Sequence, residues 1–355
     1  VAKTKDYGIG EFDFPRGWFM IADSEEVVVK PEAVRFFGRD LVLYRGNSGK
    51  VHLLDAYCPH MGAHLAINTT SYVVRDGQQI EGDSIRCPYH AWRFGPDGKC
   101  DDIPYYDKIP KAACVKAWPI VEQNGVIFVW HDPENGAPDF EVPYIEEWDD
   151  PSWVHWKIDR LGTLASHPQE VLDNMSDVSH FKPTHGSTEL AYFENEYDGH
   201  TMIQYFGAGH RTLTTGDELL ELKTWYDGPG ILRSRMWGHF PSIMMIAHTP
   251  VDDGVIKVWH SLMVKSPHAV ANAQDVAVAR AYQEASRLAF AQDFEVWANK
   301  RPALNILQIP ADGPFHKGRI WYSQFYNPRA KAADIQKRVN GIHVSKARPS
   351  PAKAA

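Results

Sequence analysis

The stretch Leu172-Asp173-Asn174-Met175-Ser176-Asp177-Val178-Ser179-His180-Phe181-Lys182-Pro183-Thr184-His185 decides how the rest of the chain reads. Two histidines five residues apart are, alone, an ordinary core or surface pair. Here Asn174, Asp177 and His180 stand at i, i+3 and i+6, which on a helix sets Asp177 and His180 on one face with Asn174 near it. Helical character over 166–181 should end near Phe181, because Pro183 cannot sit inside that helix and biases its neighbour away from it. His185 is then expected to return to the same point from a loop. Two imidazoles lack only a carboxylate to make a 2-His-1-carboxylate triad, the ligand set that leaves open positions on Fe(II) for oxygen and substrate.

Working outward, the carboxylate is sought on the next long helix. Residues 271–300 hold no Pro or Gly and are rich in Ala, Gln, Glu and Arg, which predicts a helix throughout. Ala285, Ala289, Asp293 and Trp297 recur at i+4, so Asp293 falls on a small or apolar stripe that should face the core. A carboxylate there is costly unless a metal, or a buried Arg or Lys, resolves its charge. Glu295 has the phase of a solvated surface acid. Strand candidates at 201–206, 219–226, 234–240, 243–248 and 255–264 separate the two halves of this site. Strands with segregated helices predict an α+β domain around an antiparallel sheet. Met236, Trp237, Phe240, Met244, Met245 and Trp225 could line an apolar pocket there or simply fill the sheet core.

Upstream, short β-rich runs at 18–21, 41–44, 51–54 and 125–130, with turns at 46–50 and 95–98, predict a small all-β domain. The Pro/Gly/Asp-rich stretch 131–139 reads as its linker. The expected organisation is 1–131, 132–328, and a basic tail over 329–355 with seven Lys or Arg against one Asp. Such a tail is either mobile or a guide for an acidic redox partner.

Within the β domain, Cys58-Pro59-His60 and Cys87-Pro88-Tyr89-His90 form a C-x-H and a C-x-x-H pair on loops between strands. A structural Cys2His2 zinc site would use the same four residues, though usually as C-x-x-C and H-x-x-x-H. Pairing one Cys with one His in each loop suits a split-ligand [2Fe-2S] unit, with thiolates on one iron and imidazoles on the other. The stretch 61–86 between the pairs is long, and 67–79 reads as a hairpin insertion, tolerable because added loop length adds little closure entropy. Cys100 and Cys114 read as buried, unreactive thiols.

These two loops, with Met61-Gly62-Ala63-His64 and Ala91-Trp92 flanking them, resemble Rieske domains. The downstream D-x-x-H-x-x-x-x-H pattern at Asp177, His180 and His185 resembles that of the Rieske non-haem iron oxygenases. Further likeness to the oxygenase components of the 3-ketosteroid 9α-hydroxylase branch runs through Arg16-Gly17-Trp18, Leu54-Asp55-Ala56-Tyr57-Cys58, Trp130-His131-Asp132, Gln292-Asp293 and Trp321-Tyr322-Ser323-Gln324-Phe325-Tyr326. The resemblance implies a Rieske domain followed by a helix-grip, START-like catalytic domain. It implies a [2Fe-2S] cluster on Cys58, His60, Cys87 and His90, and a mononuclear Fe(II) on His180, His185 and Asp293. Asp177 would bridge His180 to His90 of the partner subunit in a homotrimer, and Asn174 would neighbour the iron. Respiratory Rieske proteins brace these loops with a disulfide where Ala63 and Tyr89 stand here, so a lower-potential cluster is implied.

The implied reaction is O2-dependent hydroxylation of a steroid or similar hydrophobic polycycle. Aromatic ring hydroxylation or O- or N-demethylation are the alternatives, and an electron carrier without catalysis is the reading from another class. Electrons from NAD(P)H must enter through a separate ferredoxin or flavin reductase, since Gly8-Ile9-Gly10 lacks the third Gly and the preceding strand of a dinucleotide fingerprint. A formal charge of −8 excludes a broad basic surface for nucleic acid, and no apolar run is long enough to span a membrane. Val1-Ala-Lys-Thr-Lys-Asp-Tyr-Gly carries no apolar core of a secretory signal, and four Cys make no disulfide framework, so a cytoplasmic protein is expected.

Overall fold

The strands Ser242–Asp252 and Val255–Lys265 pair along almost their whole length, and most side chains of both are buried, on either face. They lie toward one edge of a nine-stranded antiparallel sheet in the computed structural model, which describes residues 1–28, 30–216 and 218–349. From this pair the sheet runs through Ile231–Trp237, Leu220–Asp227, Thr201–Ala208 and Tyr192–Asp198 to Gly341–Lys346; on the other side Trp153–Val154 and Asp159–Leu164 both pair with Val255–Lys265. The helix Ala273–Asn299 lies over one face. Ala279 and Tyr282 pack with Leu220, Met236 and Leu262, and Phe290 and Trp297 pack with Ile246, Ile256 and Val258. Its N-terminus is fixed by Asn272, whose side chain accepts from the N–H groups of Gln274 and Asp275 while Asp275 reaches back to the N–H of Asn272. The α+β architecture and the helix read from 271–300 are both present.

The chain divides into two compact units, Met20–His131 with Ala137–Val142, and Val1–Phe19 with Asp132–Gly136 and the described residues from Pro143 onward. The first nineteen residues, read with the β domain, therefore belong to the catalytic unit. Thr4 bonds His167, and Tyr7 donates to the buried Glu170, which also takes Lys300 and the N–H of Ala303. Sequence alone gave no sign of this docking, because its partners lie more than a hundred residues away.

Two further expectations are corrected. The region from Arg329, read as a tail, forms a short helix at Ala332–Lys337 and the sheet strand Gly341–Lys346, whose partner is Tyr192–Asp198; residues 350–355 lie outside the described part. The predicted hairpin over 67–79 is instead a turn in which Asn68 Oδ1 accepts from the N–H groups of Thr70 and Ser71, followed by the helical turn Tyr72–Arg75. A side chain that bonds its own backbone two and three residues on competes with strand pairing, and here it wins.

But for the first three residues of Gly17–Asp23, the β unit holds three small sheets: Gly17–Asp23 with Val126–His131 and Ile120–Gln123, the antiparallel meander Glu32–Phe36, Arg39–Arg45 and Val51–Asp55, and the antiparallel Ile80–Glu81, Ser84–Arg86, Arg93–Phe94 and Cys100–Asp102. Its core beneath the Cys/His loops gathers Val42, Leu54, Leu65, Ile85, Phe94 and Cys100. Cys100 is buried as expected, whereas Cys114 is exposed.

Candidate metal centres

The two loops of the β unit are built to one plan. Cys58 N–H donates to Ala63 O while Gly62 N–H returns to Cys58 O; Cys87 N–H donates to Trp92 O while Ala91 N–H returns to Cys87 O. Each turn needs a left-handed residue four places after its cysteine. Gly62 supplies one at φ +74 without cost, and Ala91 adopts φ +58 against the preference of an L-residue. The plan buries both sulfurs side by side and leaves His60 exposed and His90 half-buried, their rings 4.6 Å apart. Trp92 stacks flat on His60 at 4.4 Å.

The sulfurs share a hydrogen bond, which raises the Cys58 thiol and lowers Cys87 to about 6. Backbone N–H groups of His60 and Met61 at one sulfur, and of Tyr89 and His90 at the other, favour thiolate. Cysteine with cysteine and histidine with histidine are thus close pairs. Among the described residues the four ligand atoms do not converge on one point as a single tetrahedral ion requires. That disfavours the zinc reading and fits a group with two metal positions, one bound by sulfur and one by nitrogen. Ser71, from the misread insertion, donates to Pro88 O at 2.6 Å and so braces the second loop.

In the catalytic unit, His180, His185 and Asp293 place one ligand atom each within 4.8 Å of one another, alone in doing so among the described residues. The route to this point differs from the expected continuous helix. Pro168–Asp173 is helical, Asn174–Ser176 tightens to a 3-10 turn, Asp177 leaves the helix, and Phe181–His185 starts a new turn. Pro183 sits in the first turn of that segment, where the missing N–H has no helical partner to lose, and His185 closes the turn rather than lying in a loop. Asp177 and His180 therefore meet through a turn: Asp177 Oδ1 accepts from the N–H groups of Ser179 and His180.

The imidazoles are oriented from behind. His180 Nδ1 donates to the carbonyl of Asp177 at 2.8 Å, and His185 Nδ1 donates to Gln292 Oε1 at 2.9 Å. Both Nε2 lone pairs then face Asp293, at 4.0 Å from Oδ1 for His180 and 3.2 Å from Oδ2 for His185. His180 Nε2 is buried with no hydrogen-bond partner. Asp293, with 13% of its side chain exposed, meets these two histidines and the amide of Asn174 at 3.1 Å, and no Arg or Lys among the described residues. A buried acid facing two acceptor nitrogens is an arrangement that a cation satisfies and an ordinary ion pair does not. Burial works to lower the pKa of His185, but Asp293 outweighs it and raises the value. Burial also works to raise Asp177, and the hydrogen bonds and charge of His180 with the N–H of Ser179 hold it below the usual carboxylate range.

A cavity of about 120 Å³ opens from this triad between helix and sheet. Of the side chains proposed for it, Met236 and Met244 line it; Trp225, Trp237, Phe240 and Met245 do not, and Trp237 is exposed. The remaining wall is chiefly Leu213, Leu220, Leu222, Leu232, Ile246 and Phe290. Gln292 and His210 escaped the sequence reading. His210 also lines the cavity, stacked 5.7 Å from His185, and burial lowers its pKa to about 4; nothing in its Ala208-Gly209-His210 setting distinguishes it from a loop histidine. Glu295 is exposed, as its phase predicted.

A split Cys/His site on a β unit and a facial His/His/Asp site under a helix-gripped sheet together define a Rieske non-haem iron oxygenase. Comparison with known proteins agrees: the Rieske [2Fe-2S] domain matches residues 17–119 and the 3-ketosteroid 9α-hydroxylase C-terminal domain matches residues 129–326. A probable 3-ketosteroid-9-alpha-monooxygenase oxygenase component of Rhodococcus rhodochrous is 33% identical over 91% of this chain and 83% of its own length. The Mycolicibacterium smegmatis oxygenase component of that name is 32% identical, over 91% and 87%. Cholesterol 7-desaturase of Xenopus laevis is 30% identical, over 91% and 74%. Among solved structures, NdmA of Pseudomonas putida with caffeine superposes with a TM-score of 0.70 at 17% identity, covering 94% of this chain and 97% of that one. Dicamba monooxygenase does so with 0.65 at 16%, covering 91% and 97%. The chain belongs to the 3-ketosteroid 9α-hydroxylase oxygenase family. It is an oxygenase component with a Rieske [2Fe-2S] cluster and a mononuclear non-haem iron, served by a separate reductase or ferredoxin. No helix among the described residues is long and apolar enough to cross a membrane.

Proposed function

We propose that this oxygenase hydroxylates a steroid or similar hydrophobic polycycle, and that Cys58, His60, Cys87 and His90 hold its cluster while His180, His185 and Asp293 hold its iron. One observation carries the reading: away from the triad, the cavity is walled mainly by aliphatic and aromatic side chains. Such a wall favours a substrate that brings apolar surface and few polar groups. When bound, the cluster relays single electrons and the ferrous ion activates O2, chemistry that no side chain supplies. The chain's own residues orient and exclude. Asp177 and Gln292 fix the two imidazoles through Nδ1, Asn174 fixes Asp293, and the apolar wall keeps water from the reacting carbon.

Asp177 has a second role in this reading. Its carboxylate is 31% exposed, so it can bond His180 and also accept from the partner subunit's His90 across a homotrimer interface. The exposed rim of Tyr57, Met61 and Tyr89 beside His60 and His90 supports burial of that edge in an assembly. Cytoplasmic residence belongs to the same proposal.

Three irons and two sulfides per chain are expected; two irons would identify an electron carrier instead. His180→Ala should lose the mononuclear iron and keep the cluster's colour and EPR signal, and loss of both signals would reject the two-site assignment. Asp177→Asn should retain all three irons and slow product formation severely, so near-normal turnover would remove the bridge. Turnover with a surrogate reductase on steroid, aromatic and methyl-ether panels tests the substrate class. Coupled product from the steroids alone supports it, and demethylation without steroid hydroxylation overturns it.

A further inference from the structure

Away from the triad and Asn174, the polar side chains in the cavity wall are Gln204, His210, Thr224 and Ser286. Gln204 donates to Met175 O at 3.0 Å, the hydroxyls of Thr224 and Ser234 pair at 2.8 Å, and Ser286 Oγ lies 2.9 Å from His260 Nε2. These three are engaged within the protein. His210 differs. Its ring is buried, and its Nδ1 receives the backbone N–H of Thr212 at 3.3 Å and lies 3.1 Å from Thr212 Oγ1. Its Nε2 meets no partner among the described residues and is not shut off from a water-sized molecule. That edge of the ring therefore opens on the cavity it lines.

The backbone fixes the polarity of that atom. An amide N–H can only donate, so Nδ1 receives it with a lone pair, and the hydrogen of the neutral ring sits on Nε2. A charged ring carries a hydrogen on both nitrogens. Nε2 is a donor in either form. The turn that presents it is closed on itself: His210 N–H donates to Thr214 Oγ1 at 2.7 Å, and the N–H and hydroxyl of Thr214 return to His210 O at 3.0 and 2.8 Å. Tyr282 of the long helix donates to Leu213 O at 3.2 Å and ties the turn to the helix. A donor held in this way and left unpaired in an apolar wall costs free energy that an acceptor on the ligand offsets.

We propose that His210 is the residue that orients the substrate, its Nε2–H donating to a ring ketone. The proposal rests on the polycyclic reading above and adds the residue and the group it meets. A carboxylate would bring a second anion beside Asp293, and a hydroxyl would bring a hydrogen that needs an acceptor of its own; a ketone brings lone pairs alone. A ring ketone agrees with the family to which the chain belongs. The His210 ring stands 5.7 Å from that of His185, so the ketone is held beside the triad, close to the carbon that is oxidised, and not at the far end of the cavity. Apolar burial has no direction. This one bond selects which end of a fused skeleton faces the triad.

The test compares 5α-androstane-3,17-dione with 5α-androstan-17-one and 5α-androstan-3-one, each of which lacks one carbonyl oxygen of the dione. Binding to the iron-loaded oxygenase is followed by tryptophan fluorescence, with Trp297 in the cavity wall, and product and peroxide are measured in parallel. At one of the two positions, the preference for the dione over the ligand lacking that oxygen should be about tenfold greater in the parent protein than in His210→Phe, the effect of one hydrogen bond. His210→Gln, which keeps an N–H, should retain the preference, and His210→Phe should spread hydroxylation over more ring positions. A preference that His210→Phe leaves unchanged at both positions overturns the proposal, even where peroxide release rises. Loss of the mononuclear iron from both variants also overturns it, because His210 would then belong to the metal site. Either result, with the dione still hydroxylated by the parent protein, leaves the polycyclic reading standing. Failure of the parent protein to bind any of the three steroids removes both.

Discussion

Gln292 shows how much of the proposed iron site is set by residues outside the His/His/Asp cluster. Its Oε1 takes the Nδ1 hydrogen of His185, which commits Nε2 to the triad. Gln292→Leu should therefore weaken mononuclear iron binding by about 10- to 100-fold, read by iron titration, with the visible spectrum of the cluster unchanged. The three residues that the fold brings together were legible in the sequence as ligand candidates: His180 and His185 from their spacing to Asp177, and Asp293 from the Ala285, Ala289, Trp297 stripe around an acid. Gln292 was quoted only as the neighbour of Asp293. Its helical phase turns it partly to solvent, and nothing local says that a histidine from a distant turn will reach it.

At the scale of elements, agreement follows how local each determinant is. The long helix was found because propensity and the absence of Pro and Gly act within it, and its cap at Asn272 is local too. Asn272→Ala should destabilise the catalytic unit by about 1 kcal/mol, and Asn272→Gly by a few tenths, in denaturant titrations. The segment 166–181 reads as one helix because the spacing at Asn174, Asp177 and His180 suits a helix as well as the broken path it takes. The left-handed Ala91 in the second cysteine loop could not be read at all, because its strain comes from the turn that Cys87 and Trp92 close. Ala91→Gly should relieve about 1 kcal/mol and raise the thermal midpoint of the β unit. A fall would mean that the Ala91 methyl packs usefully there. Ser71→Ala, which unbraces Pro88 O, should speed bleaching of the cluster in air, followed at its visible absorption.

For the whole molecule, acid should be the weak side. Burial lowers both His167 and His248 to about 3, whereas in the unfolded chain they titrate near 6.5. Between those values the unfolded state takes up protons that the native state refuses, so stability is full above about pH 6.5 and falls as pH drops toward 3. Each histidine adds up to about 1.4 kcal/mol per pH unit to that slope. His248→Gln, which can still meet the Tyr226 hydroxyl, should flatten it by about one proton between pH 6 and 4, measured by denaturant midpoints at stepped pH.

The triad joins a short, irregular segment at 174–185 to the far half of a 27-residue helix, with Asn174 and Gln292 as further stitches between them. Iron held there acts as a clasp as well as a reagent. Because ferrous ion binds the assembled triad and not the unfolded chain, a free concentration 100 times its dissociation constant should stabilise the fold by about 2.7 kcal/mol. Chelation should return that stability and accelerate hydrogen exchange first at 174–185, while the Val255–Lys265 strand stays protected.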